Sequence, residues 1–341
     1  MDRSWARRII DGDELTEKEG LEVLETPDAD MLLLLDAASQ VRRHFFGSQV
    51  KTNVLSNAKR GMCSEDCHYC GQSQQAGDQT FRHARSSPME LLRQAQAAKD
   101  AGGKRFCVTM AVRSASWSDI SALAEATRQI KDTVPLEVCA CLGLMTGGMG
   151  KAKLRLLKEA GVDAYNHNLN THEELYPQIC TTHTWQDRLE TLHNAQEAGL
   201  STCSGLIVGM GESDRQLVDL ARTFRNEAVE SIPVNFLIPI DGTELAKKHT
   251  TTDLTPWKCL RILCLFRMLN PRAEIRASAG RELHIRSLQS LALLVANSLF
   301  LDGYLTQSGQ GAQKDFDMIA DLGMDVSTDS ISMTLPNQIK L

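Results

Sequence analysis

From about residue 50 the chain alternates short apolar runs, often β-branched, with longer runs whose apolar positions recur at helical spacing. The short runs predict strands at 50–55, 105–111, 136–142, 164–170, 201–208, 232–239, 274–278 and 298–301. Amphipathic segments lie between them. One opens at Ser87-Pro88, an N-cap serine followed by proline in the first turn, and closes at Ala101-Gly102-Gly103. Others cover 149–160, closed by Gly161, and 185–198, closed by Gly199. This Ala-Gly closure suits helix C-caps that feed a following strand. Eight such alternations predict an α/β fold, a (β/α)8 barrel of the TIM type. An open doubly wound sheet is the alternative, but no G-x-G-x-x-G phosphate loop follows a strand.

Before the barrel, Thr16-Glu-Lys-Glu19 reads as a capping box ahead of Leu21, Val23 and Leu24, and a second apolar helix runs through Met31 to Leu35. The expected organisation is an N-terminal helical extension over 1–45, a barrel over 46–326 and a tail over 327–341. Composition fits a globular protein, with 42% hydrophobic and 23% charged residues among 341. The net charge of −6 without basic runs argues against nucleic acid or anionic membrane as a partner. No apolar run is long enough to span a membrane, and the first ten residues lack the apolar stretch of a secretory signal. The expectation is therefore a cytoplasmic, reducing location in which the ten cysteines stay free.

Three of those cysteines fall within eight residues: Cys63, Cys67 and Cys70, spaced C-x3-C-x2-C. Soft thiolates on one short loop suit an iron–sulfur cluster. A 4Fe–4S cluster needs four ligands, and the loop offers three. Structural zinc sites usually pair two C-x2-4-C units and supply four ligands, which fits less well. The stretch closely resembles the radical S-adenosylmethionine enzymes. In that family the open iron is chelated by the methionine part of S-adenosylmethionine, whose cleavage gives a 5′-deoxyadenosyl radical. The resemblance puts Tyr69, the aromatic before the last cysteine, near the adenine.

Further cysteines lie on predicted strands: Cys107 on the second, Cys139 on the third and Cys203 on the fifth, with Arg276 on the seventh. Alternate residues of barrel strands point inward, so these side chains can converge. Cys141 shares the face of Cys139. A lone strand cysteine is ordinarily a small buried hydrophobe, and Cys180, Cys259 and Cys264 are read that way.

From about residue 15 to about residue 325 the chain is similar to the biotin synthases. The resemblance rests on the cysteine loop, on Tyr165-Asn-His-Asn-Leu-Asn-Thr171, on Cys203-Ser-Gly-Leu-Ile-Val-Gly209 with Glu212, and on Ile275-Arg-Ala-Ser-Ala-Gly-Arg281. It implies radical insertion of sulfur into dethiobiotin to form biotin. It implies that Cys107, Cys139, Cys203 and Arg276 hold a sacrificial 2Fe–2S cluster, with Cys141 a possible substitute for Cys139. It implies that Gly205, Ile207, Gly209 and Glu212 contact S-adenosylmethionine. Asn168, Asn170 and Asn235 are then expected at the ureido ring, and Thr306 near the substrate carboxylate. Asn166, Asn168 and Asn170 alternate along the fourth predicted strand, so they are expected to share one face. Position 170 departs from the family, which usually carries aspartate there. The resemblance also implies a homodimer and a reductant protein such as flavodoxin or ferredoxin. Another radical enzyme of this fold, of the hydrogenase-maturase type, and a non-catalytic iron–sulfur or metal carrier are the competing readings.

Overall fold

Three helices, α1 (Trp5–Asp11), α2 (Glu17–Leu24) and α3 (Met31–Phe46), precede the first strand in a computed structural model that describes residues 4–61, 63–76, 83–248, 254–304 and 307–327. Thr16 and Glu19 form the expected capping box at α2: the Thr16 N–H donates to Glu19 Oε2 at 2.8 Å and the Glu19 N–H to Thr16 Oγ1 at 3.2 Å. Trp5, Ile9, Val23, Leu34 and Val41 bury their apolar faces in one core with the barrel's outer helices. Gly20 is needed there, because a Cβ would stand 2.9 Å from a methyl of Val218.

The barrel strands are β1 (Gln49–Lys59), β2 (Arg105–Met110), β3 (Glu137–Cys141), β4 (Ala164–Asn166), β5 (Ser201–Cys203), β6 (Leu206–Val208), β7 (Ser231–Phe236), β8 (Glu274–Ala277) and β9 (Ser298–Phe300). All pair in parallel in chain order, β5 and β6 share one position beside β7, and β9 returns to β1 to close eight positions. Helices α4 (Pro88–Asp100), α5 (Trp117–Thr133), α6 (Gly147–Glu159), α7 (Trp185–Glu197) and α8 (Asp214–Asn226) connect successive strands on the outside. The β7–β8 connection carries α9 (Glu244–Lys247) and α10 (Pro256–Leu269), and the β8–β9 connection carries α11 (Arg281–His284) and α12 (Gln289–Leu293). Finally α13 (Ala312–Asp321) leads to the short strand Asp325–Val326, which adds to β1. No helix among the described residues is long and apolar enough to cross a membrane.

Two strand expectations need correction. The fourth strand ends at Asn166 rather than 170, and Asn170 adopts φ 69°, a left-handed backbone that a strand excludes. The three asparagines therefore do not share one strand face. The fifth predicted strand is interrupted at Ser204-Gly205. Gly205 packs so closely on β7 that a Cβ would lie 1.9 Å from the Pro233 carbonyl oxygen, so only glycine fits. Thr306 and the tail beyond 327 lie outside the described residues.

Candidate active site

The barrel interior is built in layers. At the N-terminal ends of the strands sits a buried ion network. Arg105 donates to both oxygens of Glu274 at 2.9 and 3.0 Å and to Glu137 at 2.9 Å. Lys51 pairs with Glu137 at 2.5 Å, and Arg276 Nη2 donates to Glu274 at 2.6 Å. Three cations face two carboxylates, which leaves one positive charge in excess among these five side chains. Burial pushes the carboxyl pKa values up, but the pull of Arg105 and its neighbouring cations outweighs it, and both glutamates end below their ordinary values. Such groups contribute stability that is complete above the unfolded carboxyl pKa and is lost as pH falls through the lower folded one. Removing one partner strands a buried charge. Glu274→Ala is therefore expected to cost about 3–5 kcal/mol, read as a lower denaturant midpoint.

The thiols lie directly above this floor. Cys107 and Cys139 are register partners on β2 and β3, Cys203 follows on β5, and all three are buried together with Phe300. Contact among the three thiols raises the pKa of Cys139 and lowers those of Cys107 and Cys203 despite their burial. Asn166 Nδ2 donates to Cys203 Sγ at 3.0 Å, and Arg276 Nη1 approaches the same sulfur at 3.8 Å. Burial works against the Arg276 charge, but Glu274 raises its pKa and holds it as a cation. Ser231 and Ser298 take its remaining donors at 2.9 and 3.2 Å. Cys141 sits one inward position further along β3, level with Thr109.

Above the thiols a cavity of about 270 Å³ opens toward the C-terminal ends of the strands. Cys63, Tyr69 and Cys70 line its mouth; Cys107, Cys139 and Arg276 line its base. The cysteine loop leaves the C-terminal end of β1, where barrel enzymes place their chemistry. It is pinned from both sides: the His68 N–H donates to the Ile179 carbonyl at 2.9 Å, and the His68 carbonyl accepts from Leu245 at 3.1 Å. Asp66 accepts from the Thr181 N–H at 3.0 Å and from the Thr182 hydroxyl at 3.0 Å. Burial raises the Cys63 thiol to about 11 and raises Cys70 as well, so a metal must displace their protons.

Between mouth and base stand the asparagines. Asn168 Oδ1 accepts from the Gly205 N–H at 3.0 Å and from Asn166 at 3.2 Å. Its Nδ2 lacks a partner among the described residues, on a side chain that lines the cavity. Asn235 bridges strands, donating to the Leu206 carbonyl at 2.9 Å and accepting from Ala279 at 3.2 Å. Asn170 lines the cavity too. With its amide oxygen turned toward them, it accepts from the terminal nitrogens of Arg188 at 3.2 and 3.3 Å and from the Tyr69 hydroxyl. Ile207 reaches the cavity, whereas Gly205, Gly209 and Glu212 lie outside its lining. Glu212 instead accepts from the N–H groups of Gly209 and Met210 at 2.5 and 2.9 Å.

Several members of this site were missed in the sequence. Arg188 is buried from α7, held by the Asn168 carbonyl at 2.7 Å and the Tyr176 hydroxyl, and has no carboxylate partner among the described residues. Its charge opposes the burial that leaves the Cys63, Cys67 and Cys70 thiols above their ordinary pKa. The signal for the ion floor was available: Lys51, Arg105, Glu137 and Glu274 are charges at the opening of four predicted strands. Cys180 is buried in the same apolar core as Cys259 and Cys264, as expected, but its sulfur also meets Asp66 at 3.1 Å and lies 3.8 Å from Cys67, contacts that Cys259 and Cys264 lack.

The Radical SAM superfamily matches residues 61–224, and the Biotin and Thiamin Synthesis associated domain matches 233–325. A biotin synthase of Bacillus licheniformis is 44% identical over 323 residues, covering 95% of each chain. One from Thermus thermophilus is 47% identical over 312 residues, covering 92% of this chain and 94% of its own. Among solved structures, a methylornithine synthase superposes with TM-score 0.81 at 21% identity over 95% of this chain and 97% of its own, a likeness of fold.

Proposed function

This chain belongs to the biotin synthase family, and from that premise we propose how its own residues divide the work. The activity is radical S-adenosylmethionine-dependent insertion of sulfur into dethiobiotin. Cys63, Cys67 and Cys70 would hold a 4Fe–4S cluster, which supplies the electron that cleaves S-adenosylmethionine. Cys107, Cys139, Cys203 and Arg276 would hold a 2Fe–2S cluster, the source of the inserted sulfur. The donor sets suit both groups: three thiols on one loop, two of them at the cavity mouth, and three thiols over a floor with a positive charge in excess. That excess would stabilise an anionic cluster, and Arg276, 3.8 Å from Cys203 Sγ, is the cation placed to hold it.

The chain's task is placement. Asn168 offers an unmet N–H pair to the ureido carbonyl, and Asn166 turns its own amide toward Cys203 and Asn168. Tyr69 and Ile207 flank the approach of the adenosyl group, with Gly209 and Glu212 shaping the turn behind it. Walls of Leu55, Val112, Phe236, Leu237 and Phe300 exclude water from the space between the two cysteine sets. The observation that carries the proposal is one cavity lined by members of both sets, Cys63 and Cys70 with Cys107, Cys139 and Arg276, and by the asparagines between them. A flavodoxin- or ferredoxin-type reductant, a homodimer and a cytoplasmic location complete the proposal from the family resemblance.

Anaerobic turnover with dethiobiotin, S-adenosylmethionine and a low-potential reductant tests it. Biotin is expected, with one 5′-deoxyadenosine for each of the two C–H bonds broken. Deoxyadenosine without biotin would favour another radical reaction on this fold.

Position 170 gives a sharper test. Asn170 donates or accepts, whereas aspartate only accepts and would form an ion pair with Arg188. Asn170→Asp is expected to keep dethiobiotin as substrate and to bind it within roughly tenfold of wild type. Asn170→Ala, which removes the amide, is expected to weaken binding by about tenfold. Equal dissociation constants for all three proteins would show that residue 170 does not touch the ring.

A further inference from the structure

Behind the radical loop, on the side away from the cavity, lies a second group of soft donors. Cys67 Sγ is 3.8 Å from Cys180 Sγ, and Cys180 Sγ is 3.3 Å from His183 Nδ1. The three ligand atoms lie within 4.8 Å of one another, and all three residues are buried. Asp66 Oδ1 is 3.1 Å from Cys180 Sγ, as a fourth donor. Bond lengths of about 2.3 Å to sulfur and about 2.0–2.1 Å to nitrogen or oxygen set the edges of a zinc tetrahedron at roughly 3.3–3.8 Å. The donor separations here are close to those edges before any ion is added.

We propose that the cluster-free chain binds Zn2+ between Cys67, Cys180 and His183, with Asp66 as fourth ligand, and that the ion withholds Cys67 from the radical cluster. The surroundings suit a metal-bound histidine. With Nδ1 on the ion, the Nε2–H donates to the Tyr176 hydroxyl, 2.7 Å away, the second bond that ligating histidines ordinarily make. Glu65, which now faces Nδ1 at 2.6 Å, retains Arg113 as an ion-pair partner at 3.4 Å. Two thiolates and an imidazole select a soft or borderline cation over Mg2+ or Ca2+. Both cysteines bind as thiolates, any proton they carry goes to solvent, and no oxidation state changes. Cys180 and His183 belong to neither cysteine set described above. The ion site itself stands on geometry alone; its effect on cluster assembly rests on the reading of Cys67 as a cluster ligand.

The test begins with the full-length, cluster-free chain under anaerobic conditions, titrated with Co2+ as the probe. One equivalent is expected to give the visible bands of tetrahedral cobalt and a thiolate charge-transfer band, both abolished by Zn2+. Cys180→Ala and His183→Ala should weaken Co2+ binding at least roughly tenfold, whereas Cys63→Ala and Cys70→Ala should leave it within about twofold. Iron–sulfur loading of the Cys180→Ala protein reports that it is folded. Zinc given before iron and sulfide should slow cluster formation in wild type and not in Cys180→Ala. Loss of cobalt binding in Cys63→Ala with retention in Cys180→Ala would put the ion in the radical loop and overturn the site. A thiolate-free, octahedral spectrum would overturn it as well. Equal slowing by zinc in wild type and Cys180→Ala would overturn the competition with cluster assembly. The cobalt titration needs neither S-adenosylmethionine nor dethiobiotin, so it stands or fails apart from the enzymatic reading.

Discussion

A Cys67→Ala protein is expected to form no 5′-deoxyadenosine above background while keeping its fold. Cys67 is the buried member of the loop, between the cavity-lining Cys63 and Cys70. Its thiol donates to Cys180, which raises its pKa further than burial alone and pulls Cys180 down to about 4. Alanine removes one sulfur from a loop that is otherwise held by Asp66, His68 and the 176–183 segment, so the backbone anchors survive. Two thiolates cannot hold a cubic cluster that leaves one iron free for the substrate. The measurement is deoxyadenosine by chromatography after anaerobic reconstitution, with a thermal melt as the control for folding. A normal deoxyadenosine yield would remove the loop from the chemistry. A near-normal yield in Cys67→Ala that disappears in Cys67→Ala/Cys180→Ala would instead show Cys180 rotating in as a substitute ligand from 3.8 Å away.

The elements were largely legible because a parallel barrel writes itself into the chain as alternation. The second predicted strand, 105–111, differs from β2 (Arg105–Met110) by one residue, and the third, 136–142, differs from β3 (Glu137–Cys141) by one at each end. Capping residues fixed the helix starts, as at Ser87, whose hydroxyl accepts from the Glu90 N–H at 3.2 Å. Failure came where tertiary contact overrides pattern. The run 164–170 keeps a period of two, yet the chain bends after Asn166 so that Asn170 meets Gly205 and Leu206 through its backbone. Gly205 breaks the fifth strand because of a contact with β7, about thirty residues away in sequence. The cysteine loop was legible because its donors are neighbours in sequence. Arg188 and Cys180 were not, since each acquires its meaning from a loop more than a hundred residues earlier. Position 183 carries no pattern of its own, and only packing brings it to Cys180 and Tyr176.

Replacing Cys107 by alanine is expected to separate the two halves of the reaction. The residue touches Cys139 and lies within the thiol layer, away from Cys63, Cys67 and Cys70. Loss of its sulfur should abolish the 2Fe–2S spectrum and biotin formation, while the 4Fe–4S spectrum and slow deoxyadenosine production persist. Stability should fall only modestly. The cavity made is one sulfur atom in size, and the ion floor of Arg105, Glu137 and Glu274 remains paired. Iron content is the second readout, since the variant should lose the iron of one cluster and keep that of the other. Unchanged biotin yield, or unchanged iron, would make Cys107 a core residue only. The neighbouring pair on β3 refines the assignment. Cys139 stands level with Cys107, whereas Cys141 stands level with Thr109, nearer the cavity mouth. Cys139→Ala should therefore reproduce the Cys107→Ala phenotype, and Cys141→Ala should retain the second cluster. The reverse pattern would move the sulfur source one layer toward the mouth and leave Cys139 as a core residue.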